Sequence, residues 1–162
     1  MKHIVKTFLF LSLSLKGFGQ NQISATDSSF INLKHALTVR ANIATNFTII
    51  LSQSSRKQSN EIKSILGRSN ELKQYISEIS VVDSGSLTLL YLKNVKLTEA
   101  LKKAIIKTET DQKLKKNKYL FNIILQLEGS ENRIFIERKL YNDKHIEINR
   151  LDLLFGTDQP LK

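Results

Sequence analysis

The chain contains no cysteine and no tryptophan, one proline and six glycines in 162 residues. Without cysteine there are no disulfides, no cysteine zinc sites, no iron–sulfur clusters, no thiol nucleophile and no cysteine-anchored lipoprotein. The scarcity of proline and glycine argues against collagenous, Pro-rich or loop-rich organisation. No GxxxxGKS/T, GxGxxG, HExxH or GxSxG pattern occurs, so phosphate-loop, dinucleotide, zincin and serine-hydrolase chemistry has no support. A composition of 41% hydrophobic and 25% charged residues excludes extreme disorder and a multi-span membrane protein. The length suits one domain, or one domain behind an export segment. Lys and Arg outnumber Asp and Glu by 25 to 15, a net +10 that favours acidic surfaces as partners.

The first twenty residues carry a targeting layout. Lys2 and Lys6 form a basic start, Thr7 to Leu15 an apolar run, and Gly17-Phe18-Gly19 a small-x-small pattern before Gln20. This predicts a cleavable signal over 1–19, or alternatively a short retained anchor. Ile4 to Leu15 falls short of the ~20 apolar residues of a spanning helix and contains Lys6. Cleavage after Gly19 would remove three of the 25 basic residues and no acid, leaving 143 residues with +7. The expected location is therefore the periplasm or cell envelope, soluble or anchored.

Local propensity and longer periodicity disagree in the second half. Tyr119 to Leu125 and Arg133 to Glu137 look like strands, being rich in aromatic and β-branched residues. Yet Leu120, Leu127, Ile134, Tyr141, Ile148 and Phe155 recur at intervals of seven, which suits a helix seam and has no reason in a strand. Residues 117–155 are therefore predicted as one helix, with Arg133, Glu137 and their charged neighbours on its exposed face. Phe30, Leu37, Ala44 and Leu51 keep the same beat and predict a helix over 28–53. Stripes from Ile62 to Ile79 and from Leu87 to Ile105 predict helices over 58–80 and 87–112, with Asp83-Ser-Gly-Ser86 as a break and a cap. The expected fold is all-α, an antiparallel up-down bundle of four long helices occupying 20–162.

The stretch Leu127-Glu-Gly-Ser-Glu-Asn-Arg-Ile134, followed by Glu137-Arg-Lys-Leu-Tyr-Asn142, resembles the LExTENRI and R-x-x-YN elements of the LemA family. Leu114-Lys-Lys-Asn117 is similar to the family's LKAN element. Phe30, Leu33, Leu37, Arg40-Ala-Asn-Ile43 and Asn46-Phe47 resemble its first-helix stretch, and Leu153-Leu-Phe-Gly156 its closing apolar-glycine segment. The chain departs from that pattern at Thr45 and at Asp111-Gln112, where the family has prolines and a tyrosine. The resemblance covers about 28–52 and 97–156. It implies a helical bundle behind an N-terminal apolar segment, located in the envelope, with no established enzymatic activity.

Candidate chemistry is sparse. His35 and His145 are far apart in sequence and have no cysteine to join them, so both are expected to be structural or solvated. No metal, cofactor or small-molecule substrate is expected, and the chain is not expected to be an enzyme. The informative polar residues lie on seams. Arg40 occupies an intermediate position of the first helix, and Ser130-Glu131 the equivalent place on the last. A charge facing a core is costly unless paired. Arg40 and Glu131 are therefore expected to meet, with Asn46 and Asn132 completing the polar contacts, unless both charges snorkel to the seam edge.

A second feature is the run of Lys102, Lys103, Lys107, Lys113, Lys115, Lys116 and Lys118, seven lysines against Glu109 and Asp111. It is either a solvated face or a contact for anionic lipid headgroups, where each basic residue contributes about 1 kcal/mol. The run has no arginine, which disfavours nucleic acid. Two functional expectations follow: a non-enzymatic envelope scaffold with an unidentified protein partner, and a peripheral membrane-binding module using residues 102–118.

Overall fold

The computed structural model describes residues 23–24, 27–55 and 59–156, so the signal or anchor expected over 1–19 lies outside the described residues. The protein is almost wholly helical. In chain order it has a strand β1 (Ile23–Ser24), α1 (Ser28–Ser55), α2 (Asn60–Glu78), β2 (Val81–Val82) and α3 (Ser84–Thr110). A single turn α4 (Gln112–Lys115), the long α5 (Lys118–Glu147) and a 3-10 turn (Leu151–Leu153) complete it. β1 and β2 form one antiparallel bridge, with Ile23 opposite Val82 and Ser24 opposite Val81.

Side-chain caps start every α-helix. Asp27 accepts from the amides of Ser29 and Phe30, Ser59 from Ile62, Asp111 from Lys113 and Leu114, and Asn117 from Tyr119 and Leu120. Asp83 and Ser86 form a reciprocal capping box at α3. Such caps satisfy backbone donors that a helix N-terminus otherwise leaves open.

The seam is continuous on each long helix. Alternating steps of three and four residues bring Phe30, Leu33, Leu37, Ala44, Phe47 and Leu51 of α1 into the core. The same steps bury Leu87, Leu90, Leu97, Leu101 and Ala104 of α3, and Leu120, Ile123, Leu127, Ile134 and Tyr141 of α5. α1 packs against α5 and α2, and α2 against α3. Asn117 donates to Ser54 at 2.8 Å, and Lys144 pairs with Asp27, so the start of α5 meets the end of α1 and the reverse. Tyr75 donates to the Ser86 carbonyl at 3.2 Å and Lys107 to Glu61 at 3.0 Å, which sets α2 against α3 in the same opposed sense.

Three local expectations are corrected. The last helix stops at Glu147 rather than 155, because Asn149 takes a left-handed φ of 57°. The Arg150 amide then donates to His145 at 2.8 Å and the Asn149 amide to Ile146 at 2.9 Å, the pairing of a Schellman stop. Ile148 is consequently exposed, while Phe155 reaches the core by folding back. Between the helices expected over 87–112 and 117–155 the chain forms a further helical turn, α4, capped by Asp111. Finally, Glu137 is buried, since it stands three residues after Ile134 and four before Tyr141 on the seam. Arg133, one turn earlier, covers its carboxylate with an ion pair of 2.5 Å.

Candidate functional site

Arg40 is among the largest fully buried side chains of the described residues, 1% exposed, at the seam position between Leu37 and Ala44. Its Nη1 donates to Asn94 Oδ1 at 2.5 Å and its Nη2 to Thr98 Oγ1 at 2.9 Å. The same Nη2 forms an ion pair with Glu131 Oε1. One guanidinium thus ties α1 to α3 and α5. Its Nε has no partner among the described residues. The two charges are unequally placed, because the Glu131 side chain is 44% exposed. Burial lowers the Arg40 pKa from its ordinary value, and the neighbouring Glu131 carboxylate opposes that shift. The group nevertheless stays charged, as arginines do in proteins.

Of the four residues expected at this seam, the structure brings Arg40 and Glu131 together and leaves Asn46 and Asn132 out. Asn46 is exposed, six residues and about 240° around α1 from Arg40 at 100° per residue. Asn132 is also exposed, one step round α5 from Glu131. Asn94 and Thr98 take the roles foreseen for them. Their signal was in the sequence: Asn94 interrupts the apolar series Leu87, Leu90, Leu97, Leu101 at a seam position, and Thr98 lies one turn later. Ser69, Thr108 and Ser130 are further buried polar residues on the seams. Thr108 and Ser130 donate to their own helices, whereas the Ser69 hydroxyl has no partner among the described residues.

Beside this cluster the molecule is open. α3 and α5 are not closely packed backbone to backbone, and two recesses lie between them. One, of about 330 Å³, is lined by Tyr91, Asn94, Glu131, Phe135, Arg138 and Phe155. The other, of about 310 Å³, lies toward α4 and is lined by Glu109, Leu114, Phe121, Ile124, Leu125 and Glu128. Phe121, Leu125 and Phe135 are exposed along this side. Arg138 lies over the Phe135 ring with its guanidinium carbon 5.6 Å from the centroid. The first recess is closed below by the folded-back tail. Phe155 donates its amide to Asn142 Oδ1 at 2.8 Å and accepts from Asn142 Nδ2 at 3.1 Å, while its ring meets Tyr91 edge-on.

At the far end of the α1–α5 contact, Tyr141 and His145 stack with ring centroids 4.1 Å apart. His145 Nδ1 lies 2.7 Å from the Tyr141 carbonyl; its Nε2 and the Tyr141 hydroxyl have no partner among the described residues. Burial pushes the Tyr141 pKa well up, with Asp27 adding to the effect. Burial would raise the Asp27 carboxyl as well, but Lys144, Ser29 and the Phe30 amide outweigh it and hold the group at about 2. His35 is exposed on α1, so the two histidines do not meet.

All seven lysines of 102–118 are exposed, gathered on the end of α3, on α4 and at the start of α5. Among the described residues there is no group of three or more His, Asp and Glu able to hold a metal ion, and no helix is long and apolar enough to cross a membrane. No protein-family model, no curated protein and no solved structure matches the chain.

Proposed function

We propose that the chain is a non-enzymatic protein of the cell envelope, an antiparallel up-down bundle of four long helices (α1, α2, α3 and α5) that serves as a scaffold or interaction module. The open side between α3 and α5 carries this reading. Elsewhere the long helices bury their seams against one another, but here aromatic and aliphatic side chains flank two recesses around a half-exposed carboxylate. That arrangement suits recognition of a partner segment more than chemistry on a small molecule, because large exposed apolar surface is characteristic of interaction sites. The motif content supports the same view, since no sequence pattern for nucleophilic, phosphate or metal chemistry occurs. The LemA-like segments of α1 and α5 contribute both members of the Arg40–Glu131 pair, and divergent membership of that family is part of the proposal.

The test is photocrosslinking in intact cells, with the crosslinker at Leu125 or Phe135 and, as a control, at Gln74 on the exposed surface of α2. Discrete adducts from the first two positions and none from the third are expected. Equal labelling from all three, or recovery of the protein away from the envelope fraction, defeats the proposal.

A further inference from the structure

We propose that the lysine-rich end of the molecule docks on an anionic lipid surface through a combined basic and apolar tip. The last turns of α3 present Lys102, Lys103 and Lys107 together with Ile106, which is 60% exposed. The first turn of α5 presents Lys118 beside Tyr119 and Phe121, 75% and 59% exposed. α4 adds Lys113 and Lys115 between them, and Lys116 follows at its end. The seven lysines outnumber the acids of this end, Glu109, Asp111 and Glu128, with Glu61 of α2. Asp111 is engaged in capping α4, and among the described residues Lys107 alone of the seven lysines has an ion pair, with Glu61.

The apolar members decide between partners. Large apolar side chains are exposed elsewhere too, but Tyr119, Ile106 and Phe121 are the three most exposed of them among the described residues, and all three stand beside the lysines. Lysines at phosphate level with aliphatic and aromatic side chains at the acyl boundary match the layered chemistry of a bilayer interface. Nucleic acid would favour arginine and stacking rings; residues 102–118 contain no arginine and Ile106 has no π-face. The tip is also isolated at one end of the molecule. Ser54 and Asn117 meet there, whereas Asp27 and Lys144 meet at the other end of α1, where β1 pairs with β2. The 28 residues of α1 separate those ends by ~42 Å. The surface engaged therefore lies opposite the end at which residues 23–24 join the fold.

The experiment is vesicle co-sedimentation of the purified full chain with phosphatidylcholine alone and with added phosphatidylglycerol. Binding is expected only with the anionic lipid, weakening as salt rises. Removing three tip charges (Lys102→Gln, Lys103→Gln, Lys118→Gln) should weaken it by about a hundredfold, at roughly fivefold per lysine. Removing three at the other end (Lys34→Gln, Lys73→Gln, Lys93→Gln) should leave it nearly unchanged. Circular dichroism checks that both triple variants are folded. Because the chain has no tryptophan, Tyr119→Trp gives a single reporter whose emission should shift to the blue on anionic vesicles. Equal binding to neutral vesicles, equal losses from the two triple variants, an unshifted tryptophan, or binding to a single-stranded oligonucleotide in place of vesicles would each overturn the proposal.

Discussion

Arg40 of α1 and Glu131 of α5 form an ion pair in which the guanidinium is buried and the carboxylate is half in water. Their losses should therefore differ. Glu131→Ala leaves a buried cation with only Asn94 and Thr98, and is expected to cost about 2–3 kcal/mol. Arg40→Met leaves a carboxylate that water can reach, so its main cost is the stranded Asn94 oxygen, about 1–2 kcal/mol. The double variant Arg40→Met, Asn94→Leu should recover part of that loss. Urea denaturation of the three variants checks the order; a larger loss for Arg40→Met than for Glu131→Ala contradicts it.

Acid should loosen the end where α1 begins. Asp27 is held at about 2 in the folded protein against an ordinary 3.8. A depressed carboxylate contributes stability that is fully present above the unfolded value, and is lost as pH falls from about 4 towards 2. Asp27→Asn keeps a capping side chain but removes the charge. It should cost about 1–2 kcal/mol at neutral pH, after allowance for the partly exposed Lys144, and almost nothing near pH 2. Glu61, also held at about 2 by its own amide, Ser59 and Lys107, titrates in the same window. The measurement is therefore the difference between variant and parent across the pH range, and a constant difference rejects the assignment.

Three glycines should respond with opposite signs. Gly67 and Gly129 lie inside helices, and a Cβ at either would meet nothing within 4 Å. Alanine at each is expected to raise stability by about 0.5–1 kcal/mol, because it restricts the unfolded chain. Gly156 has a φ of +66°, and a Cβ there would stand 2.8 and 2.9 Å from Tyr91 ring carbons. Gly156→Ala should lower the melting temperature while the other two raise it.

The tail should detach without unfolding the helices. Asn142 makes both hydrogen bonds to the Phe155 backbone. Asn142→Ala is expected to cost about 1–3 kcal/mol and to speed amide exchange at Phe155 far more than at Leu97. Uniform acceleration at both positions would show that the tail and the helices open together.

Much of the helical layout was legible because a seam leaves a numerical trace. A beat of seven through Phe30, Leu37, Ala44 and Leu51, and through Leu120, Leu127, Ile134 and Tyr141, overrides the strand-like look of Tyr119 to Leu125. The stop after Glu147 was harder to see. Ile148 and Phe155 keep the beat, and only the left-handed turn at Asn149 shows that the chain has left the helix. Glu137 is a charged residue at a seam register: its type points to the surface, and its register buries it. Asn94 and Thr98 are harder to assign, because a short polar side chain on a helix can bond its own backbone, as Thr98 does to the Asn94 carbonyl, and spacing within α3 does not say which charge on another helix it faces.

By itself the sequence determined which faces of the helices are apolar, where caps and breaks fall, and that one corner is rich in lysine. These are local properties, set by residue type and spacing. Tertiary structure decided which polar residues meet. Arg40 and Glu131 are 91 residues apart, and Arg40 and Asn94 are 54 apart. Their meeting depends on helix order, opposed direction and a register accurate to one turn, which no local pattern encodes. It also decided that α3 and α5 stand apart and that Ile106, Tyr119 and Phe121 remain uncovered beside the lysines, since exposure depends on what the rest of the chain leaves unburied.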